Sequence, residues 1–165
     1  MKKLIVADIN KCTGCRICEM VCAFFKEKLF NPSKSRIRVI KMDREGLDVP
    51  VFCQHCEEPV CRDVCPVEAL SKGLDGVMDL DVERCIGCWG CSIACPYGAI
   101  SFYEGKFRLC DLCKSDPKCV RWCPTGAIQF VEDSLADIPR RRVAAESLAK
   151  QKIEGRRAQM MGSGE

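Results

Sequence analysis

The chain has 165 residues, 16 of which are cysteine, and its formal net charge at pH 7 is +3. Apolar residues make up 47% of it, but many of these are cysteine, which leaves little ordinary core-forming material for this size. The fold therefore needs help from disulfides or bound metal. No apolar stretch reaches the ~18 residues of a membrane-spanning helix, and residues 1–8 (MKKLIVAD) lack secretory or twin-arginine features. We therefore expect a cytoplasmic protein without a membrane span.

Seven short apolar stretches are predicted to form strands. In chain order they cover residues 4–7, 36–40, 49–52, 77–80, 100–103, 106–109 and 128–131. The cysteines lie between them in groups of four, and a short helical turn is predicted to carry the fourth cysteine of each group. Beyond residue 131 there is no further cysteine, and an apolar stripe recurs at helical spacing at Ala145, Leu148, Ala149 and Ile153. These elements predict an α+β fold with a C-terminal helical tail.

The sixteen cysteines form four quartets with none left over: Cys12, Cys15, Cys18, Cys22; Cys53, Cys56, Cys61, Cys65; Cys85, Cys88, Cys91, Cys95; and Cys110, Cys113, Cys119, Cys123. The first and third quartets have the spacing C-x2-C-x2-C-x3-C. The second and fourth have small insertions in the same frame. A proline follows the last cysteine of three quartets, at Pro66, Pro96 and Pro124, whereas Ala23 stands there in the first.

This spacing is the one with which bacterial ferredoxins hold [4Fe-4S] clusters. Thiolates two residues apart in a tight turn can bind three corners of a cubane, and Gly14, Gly87 and Gly90 allow the dihedral angles that such a turn needs. The fourth thiolate faces away and ligates the other cluster of a two-cluster ferredoxin. Four quartets therefore predict four [4Fe-4S] clusters in two linked pairs.

Two other uses of the cysteines fit less well. Eight disulfides would suit a secreted chain, but a cytoplasmic location is expected here. Structural zinc sites pair two C-x2-C dyads across a longer gap, and a third nearby cysteine has no use in a tetrahedral site. The repeated quartets favour iron–sulfur clusters over both alternatives.

Internal repeats indicate two fused ferredoxin-like modules. The sequence CPYGAI at 95–100 recurs as CPTGAI at 123–128 and, more loosely, as CPVEAL at 65–70. Cys65 and Cys85 are 20 residues apart, whereas Cys22 and Cys53 are 31 apart, which favours pairing the second quartet with the third. We expect an outer module of residues 1–48 and 97–131, and an inner module of residues 49–96. The tail, residues 132–165, is either a solvated helix on its own module or an arm that binds a partner or another copy.

The net charge changes once clusters are counted. Each oxidised cluster with its four thiolates carries about −2, so the holoprotein has a charge of about −5, which argues against nucleic-acid binding. Cations beside the quartets are candidates for offsetting cluster charge: Lys11, Arg16, Arg84, Arg108 and Arg121. The single histidine, His55, is expected to pack against its loop, with a hydrogen bond to a cluster as the alternative. Nothing resembles a phosphate loop, a Ser/His/Asp set or a carboxylate pair, so we expect no enzyme activity from the chain alone.

Several further motifs resemble one known family. They are FNP at 30–32 followed by SRIRV at 35–39, CQHCEEPVC at 53–61 and RLCDLC at 108–113. Together with the quartets they are similar to the four-cluster ferredoxin subunits of molybdopterin oxidoreductases, typified by the iron–sulfur subunits of dimethyl sulfoxide reductase and formate dehydrogenase. The resemblance extends over residues 1 to about 131. The long insertions and anchor helix of membrane-bound members are missing, and the size is similar to the small members that serve aldehyde oxidoreductases, formate dehydrogenases and hydrogenases.

The resemblance implies a ligand set for each cluster, because in this family the first quartet pairs with the fourth and the second with the third. The implied sets are Cys12, Cys15, Cys18 and Cys123; Cys110, Cys113, Cys119 and Cys22; Cys53, Cys56, Cys61 and Cys95; and Cys85, Cys88, Cys91 and Cys65.

The resemblance also implies an electron-relay subunit. It would pass single electrons from a tungsten or molybdenum cofactor subunit, acting on an aldehyde or formate, to an acceptor such as a flavin subunit. The alternative is a free polyferredoxin that shuttles electrons to or from a hydrogenase or carbon monoxide dehydrogenase. Further copies of the chain are also considered as partners, because two ends of a relay could stack.

Overall fold

The computed structural model describes residues 3–132, so the predicted tail lies outside the described residues except for Glu132. This part of the chain contains eight strands in four antiparallel pairs. The pairs are β1 (Lys3–Ala7) with β8 (Ile128–Glu132), β2 (Ile37–Met42) with β3 (Leu47–Phe52), β4 (Leu70–Lys72) with β5 (Met78–Leu80), and β6 (Ser101–Tyr103) with β7 (Lys106–Arg108). Short strands combined with short helices confirm the predicted α+β class.

The strand β1 joins the two ends of the described chain. Leu4 is opposite Val131 and Ile5 is opposite Phe130 in the pairing of β1 with β8. Three successive β1 residues are buried, because Leu4 and Val6 pack with Val131 on one face while Ile5 enters the main core on the other. This pairing brings the regions of the first and fourth quartets together.

One strand, β4, was not predicted. Leu70 is its only apolar residue, and Ser71 and Lys72 give no alternating pattern that would indicate a strand. Its pairing with β5 and the hydrogen bond from Asp81 N to Ala69 O close the hairpin. Tertiary contacts therefore decide the conformation of these residues.

Each quartet has one α-helix that contains its third cysteine. These helices are α1 (Ile17–Glu27), α2 (Val60–Asp63), α3 (Gly90–Ala94) and α4 (Lys118–Arg121). Left-handed residues, Arg16 and Trp89, precede α1 and α3. Prolines, Pro59 and Pro117, precede α2 and α4. The extra residues in the second and fourth quartets therefore include a proline, and the helix begins after this proline instead of after a left-handed residue.

The expected position of the fourth cysteine was wrong for three quartets. The helices α2, α3 and α4 carry the third cysteine and end before the fourth, and Cys95 has extended backbone angles at the C-cap of α3. The cause is the proline that follows each fourth cysteine, since a residue before proline avoids helical angles. Only α1 runs through its fourth cysteine, Cys22, because Ala23 replaces the proline there.

The buried side chains form two main clusters. The first joins Ile5, Cys18, Cys22, Ile37, Val39, Phe52, Leu112, Cys119 and Ile128. The second joins Cys53, Leu70, Met78, Cys91, Ala99, Ile100, Phe107 and Leu109. Cysteines belong to both cores, and Cys110 packs against both. Within residues 3–132, no helix is both long enough and apolar enough to cross a membrane.

Candidate metal centres

Four cysteines from the two ends of the described chain surround one small cavity. They are Cys12, Cys15, Cys18 and Cys123, and we call this group the first site. Gly14 has a φ of +62°, and a Cβ at this position would collide with the Asp48 carboxylate. The loop that carries Cys12 and Cys15 therefore requires glycine at position 14.

A second small cavity is lined by Cys22, Cys110, Cys113 and Cys119, which we call the second site. Cys22 comes from α1 and Cys119 from α4, and these two helices pack against each other. Charged side chains also line the cavity, namely Lys26, Arg36 and Asp111. The second site thus combines four thiols with two cations and one carboxylate.

A third cavity, of about 270 Å³, is lined by Cys53, Cys56, Cys61 and Cys95, which we call the third site. Its other walls are mainly apolar, with Glu58 as the charged exception. Cys53 follows directly after β3 and Cys95 directly after α3, so both are held by the ends of regular elements.

The remaining cysteines meet around α3. Burial, followed by the nearby thiols of Cys85 and Cys88, raises the pKa of Cys91, which places these three together; with Cys65 as the predicted fourth member we call them the fourth site. Cys65 comes shortly after α2, which packs against α3, and the Val64 carbonyl oxygen lies 3.6 Å from the position of a Cβ on Gly90. No described contact joins the Cys65 thiol itself to the other three.

Successive groups lie close to one another. Beyond the effect of burial, the Cys18 thiol raises the pKa of Cys119, the Cys53 thiol that of Cys110, and the Cys61 thiol that of Cys91. These three pairs join the first site to the second, the second to the third, and the third to the fourth. Cys15 and Cys88, the two exposed cysteines, belong to the first and fourth sites.

Burial makes half of the sixteen thiols poorer acids. It raises the pKa of Cys18, Cys53 and Cys110 to about 12. Such thiols become thiolates only when a positive centre such as iron replaces the proton. The donor set consists of sulfur alone, which suits an iron–sulfur cluster.

Two fourth cysteines behave differently, because the turn after each one supplies hydrogen-bond donors. Burial acts to raise the pKa of Cys65, but backbone N–H groups led by Ala69 and Val67 outweigh it and lower the pKa. For Cys123, burial is outweighed in the same way by the N–H of Ile128 and by Thr125. Both thiols are therefore prepared to carry negative charge.

No three His, Cys, Asp or Glu side chains of residues 3–132 are arranged to hold a single metal ion. A tetrahedral zinc site requires its thiolates at about 2.3 Å from one centre. A cubane binds each thiolate at a different iron corner, so its ligands stand farther apart.

His55 is buried next to Cys53, a cysteine of the third site. Its Nδ1 accepts a hydrogen bond from Met78 N at 3.0 Å and lies 3.8 Å from Cys53 Sγ. The ring therefore ties β5 to the loop of the second quartet, as the packing interpretation expected. The alternative, a hydrogen bond to a cluster, stays a prediction.

Sequence position identified only some of the cations at the sites. Arg16 lines the first site, whereas Arg108 is buried 3.5 Å from Glu27. The two cations that line the second site, Lys26 and Arg36, were missed. Lys26 was detectable, because it is four residues after Cys22 on the same helix. Arg36 gave no such signal, since β2 approaches the site only in the folded chain.

Comparison with known proteins agrees with this chemistry. Residues 45–133 match the family described as "4Fe-4S dicluster domain". YsaA of Escherichia coli (strain K12), a predicted electron transport protein, is 38% identical over 80% of this chain and 91% of its own length. Formate hydrogenlyase subunit 2 of the same organism is 31% identical over 86% and 88%. The polyferredoxin-like subunit of the aliphatic sulfonate oxidoreductase of Pyrococcus furiosus is 39% identical over 72% and 70%.

The matched family, the coverage of these relatives and the sixteen cysteines lead to one conclusion. The chain belongs to the 4Fe-4S dicluster family and is an iron–sulfur electron-transfer subunit related to those of oxidoreductases, with four [4Fe-4S] clusters as its cofactors.

Proposed function

We propose that this chain is a relay that carries single electrons between a tungsten or molybdenum cofactor subunit and an acceptor such as a flavin subunit. The observation that supports it best is that successive cysteine groups are packed together: Cys18 and Cys119 lie in the first core, Cys53 and Cys91 lie in the second, and Cys110 packs against both. The clusters, when bound, supply one-electron redox chemistry. The chain contributes their order, their spacing and their electrostatic surroundings.

The proposed ligand sets are those implied by the family resemblance. The cysteines that line the first, second and third cavities support three of these sets. The packing of α2 against α3 supports Cys65 as the fourth ligand beside Cys85, Cys88 and Cys91. In this arrangement each fourth cysteine crosses to the partner quartet, so the two sites of a pair are interlocked.

We also propose that these pairs correspond to two modules, an outer one of residues 1–48 and 97–131 and an inner one of residues 49–96. The first core draws on residues 5–52 and 112–128, which supports the nesting. Residues 99–109 pack in the second core with residues 53–91. The hairpin of β6 and β7 falls within the outer module by its position in the sequence. It nevertheless packs against the inner module.

Replacement of crossing cysteines tests the ligand sets. Cys65→Ala should damage the cluster bound by the third quartet, and Cys95→Ala the cluster bound by the second. Iron content and electron paramagnetic resonance of the reduced, anaerobic protein would measure the losses. If each replacement instead removes the cluster of its own quartet, the interlocked arrangement is wrong.

Both ends of the relay present exposed apolar side chains to a partner. Near Cys88, Ile86 is 65% and Ile93 is 83% exposed. At the other end, Ile17 and Trp122 are exposed beside Cys18 and Cys123. Exposed apolar groups at a redox terminus favour docking of another protein, because close approach is needed for electron transfer.

The partner class rests on the relatives and on the family resemblance. One relative is a subunit of formate hydrogenlyase and another is a subunit of an aliphatic sulfonate oxidoreductase. We propose aldehyde or formate oxidation for the catalytic partner of this chain, and no turnover of an organic substrate by the chain itself.

Mixing experiments test the relay. The anaerobic holoprotein should form a complex with a tungsten or molybdenum subunit in native mass measurements, and its cluster absorbance should bleach when that subunit oxidises an aldehyde or formate. Ile93→Lys should weaken one docking contact, whereas Leu74→Lys, at an exposed hairpin tip, serves as the control. A lone monomer that is reduced only by hydrogenase or carbon monoxide dehydrogenase would favour the free polyferredoxin instead.

A further inference from the structure

The second site has an unusual set of charges around its thiols. Lys26 Nζ donates to Asp111 Oδ2 at 2.5 Å, so these two charges largely compensate each other. Arg36 Nη2 lies 3.4 Å from Glu27 Oε1, and Arg108 Nε lies 3.5 Å from the same oxygen. One carboxylate thus faces two guanidinium groups, which leaves an excess of positive charge beside the cavity.

Arg36 is linked to the site in two ways. Its backbone N–H donates to Cys22 Sγ at 3.3 Å, and its side chain lines the cavity. Its Nη1 is buried and has no hydrogen-bond partner among the described residues. A buried guanidinium N–H without an acceptor costs free energy, and a cluster held by the cysteines of the second site would supply sulfur acceptors to it.

Within residues 3–132, the neighbouring third site has no cation on its cavity wall, and the nearby Lys72 Nζ donates to the carbonyl oxygens of Cys56 at 2.7 Å and of Glu57 at 3.0 Å. Its cavity is lined by Glu58 and by no Lys or Arg among the described residues. The first site has Arg16, but that residue is exposed, so solvent screens its charge. Of the cations that line these three cavities, Arg36 is therefore the one with the strongest expected influence.

We infer that Arg36 raises the reduction potential of the cluster at the second site above that of the third, by donating from Nη1 to cluster sulfur and by its charge. This inference rests on the proposed ligand set of the second site. Reduction adds one electron and one negative charge to the site, and a nearby cation in a poorly solvated cavity stabilises that added charge. Electrons that arrive from the third site would therefore collect at the second.

Arg36→Gln tests the inference in the anaerobic holoprotein, with dithionite as the electron source. We expect the equilibrium constant for reduction of the second site to fall about tenfold, which is a shift of about 59 mV to lower potential for one electron. The other three potentials should stay in place. A redox titration followed by electron paramagnetic resonance measures all four, and the signal that changes or disappears in Cys113→Ser identifies the second site.

Three companion variants separate the possible causes. Arg44→Gln removes the same charge from the exposed β2–β3 turn and should shift no potential. Glu27→Gln removes the competing carboxylate and should shift the second site to higher potential. Arg36→Lys keeps the charge without the planar set of donors, so a partial shift is expected.

The outcomes also separate this inference from the proposed function. If iron is retained and Arg36→Gln shifts no potential, the role of Arg36 is overturned while the ligand sets stand. If Arg36→Gln loses iron, the Glu27→Gln variant tests the inference instead. An unchanged potential of the second site in Glu27→Gln would then overturn the inference. If Cys113→Ser changes none of the four signals, the ligand set of the second site is wrong.

Discussion

The turn after the fourth cysteine shows how single residues prepare a ligand. In the CPVEAL, CPYGAI and CPTGAI segments, the N–H three residues after the cysteine donates to the cysteine carbonyl oxygen, from Glu68, Gly98 and Gly126. The next N–H, from Ala69 or Ala99, donates to the cysteine sulfur at 3.3 and 3.5 Å. Backbone donors of this kind stabilise a thiolate.

One copy of this turn contains a strained residue. Glu68 has a φ of +51° where the other two copies have glycine at +58° and +64°. Left-handed angles cost a residue with a Cβ about 1 kcal/mol or more, and Glu68 is exposed. Glu68→Gly should therefore raise the unfolding midpoint of the anaerobic holoprotein by about 2–4 °C, followed by cluster absorbance.

The matched control is Gly98→Ala, the reverse change in the equivalent turn. A Cβ on Gly98 meets no atom within 4 Å, so the backbone angle alone is tested. It should lower the midpoint by a similar amount. A lower midpoint for Glu68→Gly would mean that the Glu68 side chain stabilises the turn through a contact that outweighs the strain.

At the level of elements, α1 differs from the other three helices because of one residue. Ala23 is fully buried and continues the helix past Cys22. Ala23→Pro would remove a helical hydrogen bond and clash with the preceding turn, at a cost of about 3 kcal/mol. We expect Cys22 to leave the second site and about four irons to be lost per chain.

Iron and sulfide analysis of the purified protein measures this loss. Pro96→Ala is the comparison, since it relieves a restraint after Cys95 and should leave the iron content unchanged. Full iron content in Ala23→Pro would show that Cys22 reaches its site without a continuous α1.

A buried carboxylate joins α1 to the β2–β3 hairpin. Glu19 on α1 is only 2% exposed, and its Oε1 accepts a hydrogen bond from Val39 N at 2.7 Å. Glu19→Ala would leave that buried N–H without an acceptor, at a cost of about 1–3 kcal/mol. Denaturation of the anaerobic holoprotein should show this loss, whereas Glu19→Gln, which keeps an acceptor oxygen, should lose less. Equal losses would show that the charge of Glu19, and not the hydrogen bond, stabilises the contact.

For the whole molecule, the cofactors take the place of part of the hydrophobic core. Both hydrophobic cores contain cysteine side chains. The first includes Cys18, Cys22 and Cys119, and the second includes Cys53 and Cys91. The anaerobic protein should contain about 16 iron and 16 sulfide per chain. Removal of iron by a chelator should unfold it, because ligand binding and folding are coupled.

Circular dichroism and size-exclusion chromatography before and after chelation measure this coupling. Bovine serum albumin, treated in the same way, controls for effects of the chelator. Retention of the far-ultraviolet spectrum and of the elution volume after complete iron removal would show that strands and helices alone hold the fold. Stoichiometric zinc with little iron in the purified protein would contradict the cluster assignment.

The sequence by itself determined the chemistry, because ligand identity and spacing are local properties of the chain. Four C-x2-C quartets predict [4Fe-4S] clusters, and apolar alternation predicts seven of the eight described strands. Only the tertiary structure decided which parts of the chain become neighbours. It formed β4 by pairing with β5 and brought Arg36 to the wall of the second site. These contacts join residues far apart in sequence, and their free energy comes from burial and pairing in the folded chain, which no local pattern encodes.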